Sequence, residues 1–496
     1  ADRGIFWLCP ANTALKGDND LKENTSGSRS LNNGLNNSSD NRSHNNTLLT
    51  ERLPRLFLLF VLPAVISMVI SGTQSMIDGI FLGRFAGVNA MASVNIAGPY
   101  MQIITGCTMV ICIGTFSYLG RTLGENTNPQ KAKDIFRTAV VSLAACALIL
   151  MAAGLFLSRP LALLLGANEV LLDETALYIR TVAVFIPAIC FMMHFGFTAR
   201  LLEKPHLYLI ATLCCVSCNV IMDYLAVKVL GLGVVGAAAA TGLSYLSGLL
   251  VVVRPFLSRK SIVNLFEGTF HWDILRSSSF NGSSEGITSI SAALTMYLFN
   301  TAFMGFAGES GVAAFTVINY AGNFVVLVMF GVSDGISTLV SYNYGAKLLL
   351  RVKKTLRAAL MINFCIGLLI FTVLHLFSRQ MVGIFVSDNE FVTAMAVQGA
   401  ALYSFCFLMN GFNIVQSGYY TSMGDALASV IISASRGIVF ISTGIFLLPQ
   451  FLGINGVWLT PPFAELMTVL VCLIIGRVRS ADREISEETA PRTSPA

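Results

Sequence analysis

Charge is scarce in this sequence. Asp, Glu, Lys and Arg make up 12% of the 496 residues, about half the roughly 25% of soluble domains, and such a deficit excludes an ordinary water-soluble protein. Histidine is scarcer still, with five in all, and no clustered nucleophile–base set or metal-ligand group is visible for an integral-membrane enzyme. The net charge of +5 is small for this length and does not indicate nucleic-acid binding. Alternating segments of roughly 10 residues, the mark of a transmembrane β-barrel, are missing too.

What is present is apolar length: 54% of the residues are hydrophobic and the mean hydropathy is +0.70. Stretches of the roughly 20 residues needed to cross hydrocarbon as a helix recur along the chain. Lipid offers the backbone no hydrogen-bond partner, so repeated runs of this kind predict an all-α bundle. The eleven cysteines lie almost all inside these runs and read as small apolar fillers, with no disulfide framework or metal site implied.

Residues 1–50 are different material. The tract "ENTSGSRSLNNGLNNSSDNRSHNN" is rich in Asn and Ser and reads as a disordered tail. Twelve apolar spans follow, at roughly 56–83, 92–119, 134–157, 175–199, 207–229, 234–254, 284–306, 312–342, 355–377, 394–420, 428–448 and 454–476. They divide into a first six-helix lobe (51–254), a linker (255–283), a second six-helix lobe (284–476) and a C-terminal tail (477–496). Arg and Lys collect in alternate connections, among them Arg121, Lys131, Arg200, Lys204, Arg259, Lys260, Lys347 and Arg351. The positive-inside rule makes these, and hence both termini and the linker, cytoplasmic in a multi-pass protein of the cell membrane.

The two lobes echo one another. "FLGRFAG" (81–87) answers "FMGFAG" (303–308), and "GTFSYLGRTLGE" (114–125) aligns with "GISTLVSYNYGA" (335–346), matching Gly114 to Gly335 and Gly124 to Gly345. A parallel duplication of six spans is common in secondary transporters, which move one half against the other around a central site.

Ionisable residues inside spans are costly and mark functional sites by default. Asp78 lies in the first span, His194 in the fourth, Asp223 in the fifth, Glu285 at the start of the seventh, Arg436 in the eleventh and Glu465 in the twelfth. Asp78 and Asp223 both fall roughly 8–9 Å from the outer ends of their helices at ~1.5 Å per residue. Asn219 shares a helix face with Asp223, and Thr241 on the returning sixth span reaches similar depth. Two carboxylates, an amide and a hydroxyl suit a proton or Na⁺, whereas a soft metal calls for thiolates or imidazoles. Two carboxylates in a low-dielectric site cannot both ionise cheaply, so the group must take up a proton or bind a cation. Pro63, on the same span as Asp78, is a candidate hinge. Glu285, Glu465 and His194 are candidates for substrate contact, and Arg436 is expected to snorkel near the cytoplasmic end of its span.

These stretches resemble the multidrug and toxic compound extrusion (MATE) family over residues 54–476. The resemblance rests on "LPAVISMV" with "MIDGIFLGR", on "RLLEKPHLYLIATLCCVSCNVIMDY", on "GVVGAAAAT", and on "NGSSEGITS", "SASRGIVF" and "GINGVWLTPPFAE", which are most similar to its bacterial MepA-type branch. It implies a V-shaped fold of two pseudo-symmetric six-helix lobes in a monomer. It also implies export of organic, cationic small molecules in exchange for H⁺ or Na⁺, without any cofactor. By matching position, Asp78, Asn219, Asp223 and Thr241 would form the cation-coupling group. The counterpart of Asp78 in the second lobe is Asn300, and the tenth span keeps no acid in its body, so coupling is expected in the first lobe alone. A flippase for lipid-linked precursors would share the architecture but needs a basic cavity, and the spans hold almost no interior Arg or Lys.

Overall fold

The structure, a computed structural model, describes residues 47–385 and 390–489. The tail expected to be disordered therefore lies, up to residue 46, outside the described residues. Among those residues no strand occurs. Eleven helices among the described residues are long and apolar enough to cross a membrane, and a bent pair, taken as one span, brings the number to twelve. They are α1 (Leu53–Ala86), α2 (Asn89–Glu125), α3 (Pro129–Phe156), α4 (Leu172–Ala183 with Ile186–Leu201), α5 (Pro205–Val229), α6 (Gly233–Val252), α7 (Trp272–Gly308), α8 (Ser310–Gly345), α9 (Leu349–Val382), α10 (Glu390–Met423), α11 (Ala426–Leu452) and α12 (Ile454–Arg479). The 49° bend in α4 sits just before Pro187 in the first turn of its second segment, where a missing N–H and a bulky ring break the ladder. Wide π-turns interrupt α1 before Pro63, α5 directly after Asp223, and α11 around Arg436; such turns occur often at functional sites.

The first half packs around one hydrophobic cluster that includes the stacked rings of Phe136, Phe195 and Phe256. A core in the second half centres on Phe299, Phe303, Phe315 and Trp458, with Phe303 and Trp458 4.3 Å apart. Large apolar side chains such as Ile149, Leu369 and Phe446 face outward, as lipid requires.

The halves meet through pseudo-symmetric glycines. A Cβ on Gly124 of α2 would strike the Tyr342 carbonyl of α8, and one on Gly345 of α8 would strike the Arg121 carbonyl of α2. The two glycines that the repeat aligned thus let the paired helices approach backbone to backbone. The turns after α2 and α8 repeat the symmetry, with Asn126 and Lys347 both in the left-handed region.

Two boundaries differ from the sequence reading. Helix α7 begins at Trp272, so the second part of the expected linker (255–283) is helical. Its Ser- and Gly-rich stretch reads as polar, yet small side chains are what its contact with α2 needs: a Cβ on Gly114 would strike the Ser278 carbonyl. The other difference is a helical turn at Thr47–Thr50, within the expected tail. There the Leu48 N–H donates to Glu203 Oε1 at 3.4 Å, and the Leu48 carbonyl accepts from Asn343 and Arg351. Leu48 is buried.

Candidate functional site

The carboxylate group forms where α1 packs against α5. Asp223 and Asn219 are buried on α5, and the Asp78 side chain of α1 lies beside both. One oxygen of each acid (Asp78 Oδ1 and Asp223 Oδ2) and both polar atoms of the Asn219 amide are buried without a hydrogen-bond partner among the described residues. Buried polar atoms left unsatisfied are costly, and a cluster of four around facing carboxyl groups is suited to receive a cation. Tyr178 of α4, which sequence reasoning missed, stands within electrostatic reach of both acids. Thr241 is on α6, along α5, and its carbonyl accepts a 2.6 Å bond from Ser244. Its hydroxyl has no bond to either acid among the described residues.

A second site lies between the halves. A cavity of about 170 Å³ is walled by Met68, Phe116 and Phe197 from the first half and by Glu285, Asp334 and Arg436 from the second, with a fringe of serines and threonines. Glu285, Asp334 and Arg436 are its only charged lining residues among those described, and two of them are already paired. Arg200 Nη1 donates to Asp334 Oδ2 at 2.6 Å. Arg436 Nε donates to Glu465 Oε1 at 2.8 Å, and that carboxylate also accepts from Asn410 at 2.9 Å and Asn413 at 2.7 Å. Glu285 has no ion pair or side-chain hydrogen bond among the described residues. Glu285 is therefore the one acid of the lining left without an ion pair, and when ionised it gives the lining a net negative charge.

The other expectations divide. Glu465 is not among the lining residues; its carboxylate is spent on Arg436 and the two amides, which makes it a support rather than a substrate contact. Arg436 does not snorkel, because that acid holds it inside the bundle with its side chain 21% exposed. His194 is also absent from the wall. It is buried, its ring stacked on Phe136, and neither ring nitrogen has a hydrogen-bond partner among the described residues. Pro63 sits directly after the π-turn of α1, and its carbonyl accepts from Ser67 at 2.8 Å. Cys215 and Cys218 stand at Cys-x-x-Cys spacing, yet no three His, Cys, Asp or Glu gather as metal ligands among the described residues.

Asp334 and Arg200 were missed as a pair. The signal was an acid in "GVSDGIST", eight residues before the end of the eighth expected span.

Two six-helix halves around a largely apolar inter-half cavity that holds a few charged groups, with a pair of facing acids inside one half, define a multi-pass membrane carrier. The profile of the MatE family matches residues 63–225 and again 287–445, so the chain belongs to that family, once per half. It is 23% identical over 418 residues to the multidrug export protein MepA of Staphylococcus aureus (strain bovine RF122 / ET3-1), covering 84% of this chain and 92% of the relative. Among solved structures, MATE in complex with MaL6 is similar at a TM-score of 0.82 and 20% identity, covering 88% of this chain and 99% of that one. The outward-facing conformation of a multidrug resistance MATE family transporter of the MOP superfamily is similar at 0.78 and 22%, covering 86% and 96%.

Proposed function

We propose that the protein exports organic cations from the cell by antiport against H⁺ or Na⁺, working as a single chain with both termini in the cytoplasm. The observation that carries this reading is the charge of the inter-half cavity. With Asp334 matched by Arg200 and Arg436 by Glu465, Glu285 remains as the counter-charge for a cationic substrate. Aromatic and Met side chains around it supply apolar faces and cation–π contacts. The same negative balance argues against a flippase for anionic lipid-linked precursors.

Coupling is assigned to Asp78, Asn219 and Asp223, with Thr241 on the neighbouring helix. Two facing carboxyl groups need a shared proton or a bound cation to offset their charge. Loading the site therefore changes how tightly α1 and α5 hold together, and the π-turns beside Pro63 and after Asp223 are where the helices can yield. The hydrogen bonds that join the halves gather at one end, from Ser117 to the Thr421 carbonyl, from Arg121 to the Met423 carbonyl, and from Arg351 to the Leu48 and Glu51 carbonyls. That end carries the basic connections, so a cytoplasmic placement makes this the outward-facing state. A ligand can drive the change only by its differential affinity for the two states.

The test is equilibrium binding of tetraphenylphosphonium to the purified chain. Glu285→Gln should weaken it by about tenfold, the loss of one charge contact worth about 1.4 kcal/mol. Unchanged binding would remove the cavity from the account.

A further inference from the structure

Arg200 is an unusual arginine. Its side chain is 1% exposed at the end of α4. Among the described residues Asp334 is its one hydrogen-bonded partner, and Nε and Nη2 have none. The rest of its environment is aromatic: the guanidinium carbon lies 4.5 Å from the ring centre of Phe197, 5.0 Å from Tyr208 and 6.0 Å from Phe116. Aromatic faces closed by a carboxylate are the chemistry that recognises an organic cation. Phe116, Phe197 and Asp334 also line the inter-half cavity. One wall is thus shared, with a tethered guanidinium behind it and the cavity in front.

We propose that Arg200 is a built-in competitor for the transported cation, and that Asp334, Phe116 and Phe197 form a second cation subsite it occupies whenever the halves are closed at the basic end. This rests on reading the cavity as the substrate site. The cavity, at about 170 Å³, is smaller than the roughly 300–1,000 Å³ of drug-sized pockets, so a bulky cation must part the halves to enter fully. Arg200 belongs to the first half and Asp334 to the second. A cation that draws Asp334 to itself loosens the tie between them. When the basic end closes again, Arg200 recovers Asp334 and the cation is expelled. A neutral compound of the same shape has no claim on the carboxylate and does not loosen the tie.

The experiment is tetraphenylphosphonium binding to the full chain, comparing wild type with Arg200→Gln, Arg200→Gln/Asp334→Asn and Glu285→Gln. Freeing Asp334 from its competitor should tighten binding by about tenfold, one charge-assisted cation contact, and the added Asp334→Asn should abolish that gain. If Arg200→Gln binds no tighter while Glu285→Gln still weakens binding, the competitor is refuted and the cavity reading stands. If Glu285→Gln has no effect, the cavity reading itself has failed.

Arg200→Gln leaves a lone acid in the bundle and can compromise folding, so the question is also put to chains with the pair intact. Spin labels replace the exposed Gln130 and Lys353, one in each half near the basic end. Saturating tetraphenylphosphonium should lengthen their separation, and triphenylphosphine oxide, a neutral analogue, should not. Saturation by the cation with no change in separation overturns the proposal.

Discussion

Replacing Glu465 by Gln tests whether the inter-half cavity is balanced by the charges behind it. The substitution keeps shape and removes charge. In the native arrangement one carboxylate serves three donors, Arg436 at 2.8 Å, Asn413 at 2.7 Å and Asn410 at 2.9 Å. A Gln brings its own NH₂ among them, so at least one donor faces another donor and Arg436 loses its counter-charge. Breaking a buried pair by removing one partner costs about 3–5 kcal/mol. The Arg436 side chain is 21% exposed and that of Glu465 7%, so some screening applies and about 2–4 kcal/mol is the reasonable range. The assay is thermal unfolding of the purified protein at fixed detergent, comparing Glu465→Gln, Arg436→Gln and the double variant. The single acid replacement should melt several degrees lower. The double variant, with no stranded charge, should recover more than half of that loss. A second readout follows from charge counting: an unpaired Arg436 beside Glu285 brings the lining close to neutrality, so tetraphenylphosphonium binding should also fall. A single variant that melts like wild type, or a double variant less stable than the single, would refute the reasoning.

Three further outcomes are expected. Gly124→Val puts a side chain where the Tyr342 carbonyl stands, forcing α2 and α8 apart, and should destabilise the protein by about 1–3 kcal/mol in the same melt, the usual cost of overpacking. Tyr178→Phe, which keeps the ring and removes the hydroxyl near Asp78 and Asp223, should leave tetraphenylphosphonium binding unchanged while slowing gradient-driven transport in vesicles. Glu267 in the linker bonds Lys133 of α3 at 2.5 Å, and that contact holds its carboxyl below the ordinary range. The folded value is depressed, so its contribution to linker docking is present above the usual carboxylate pKa and is lost as pH falls through the folded value. Hydrogen exchange of linker amides 264–271 should quicken over that acid range in wild type, and Lys133→Ala should flatten the dependence.

Much of this was legible in the sequence because lipid imposes simple rules. Twelve apolar runs located every span to within a few residues at most ends, and the repeat aligned Gly124 with Gly345, the two glycines at which the structure brings α2 and α8 together. Depth counting brought Asp78, Asn219 and Asp223 together correctly, since helix rise fixes the level of a side chain. It does not fix which way a side chain points around the axis, which is why Tyr178 of α4 could not be found beside the two acids this way. Hydropathy also hid the start of α7: serines score as polar but serve as small contacts. The ion pairs were the least legible. Arg200 joins Asp334 across 134 positions, and Arg436 joins Glu465 across two helices of the second half. Nothing in the linear spacing of those charges reveals which of them cancel, and that cancellation is what leaves Glu285 alone.

The central claim is that the Asp78 and Asp223 pair couples a cation gradient to movement of an organic cation. Proteoliposomes containing the protein, loaded with tetraphenylphosphonium and given either a pH gradient or a Na⁺ gradient, measure this directly. Wild-type protein should move the probe faster under at least one gradient, and Asp78→Asn and Asp223→Asn should each lose that acceleration while still binding it. Gradient-driven transport at the wild-type rate by Asp78→Asn, at equal protein per vesicle, would contradict the account.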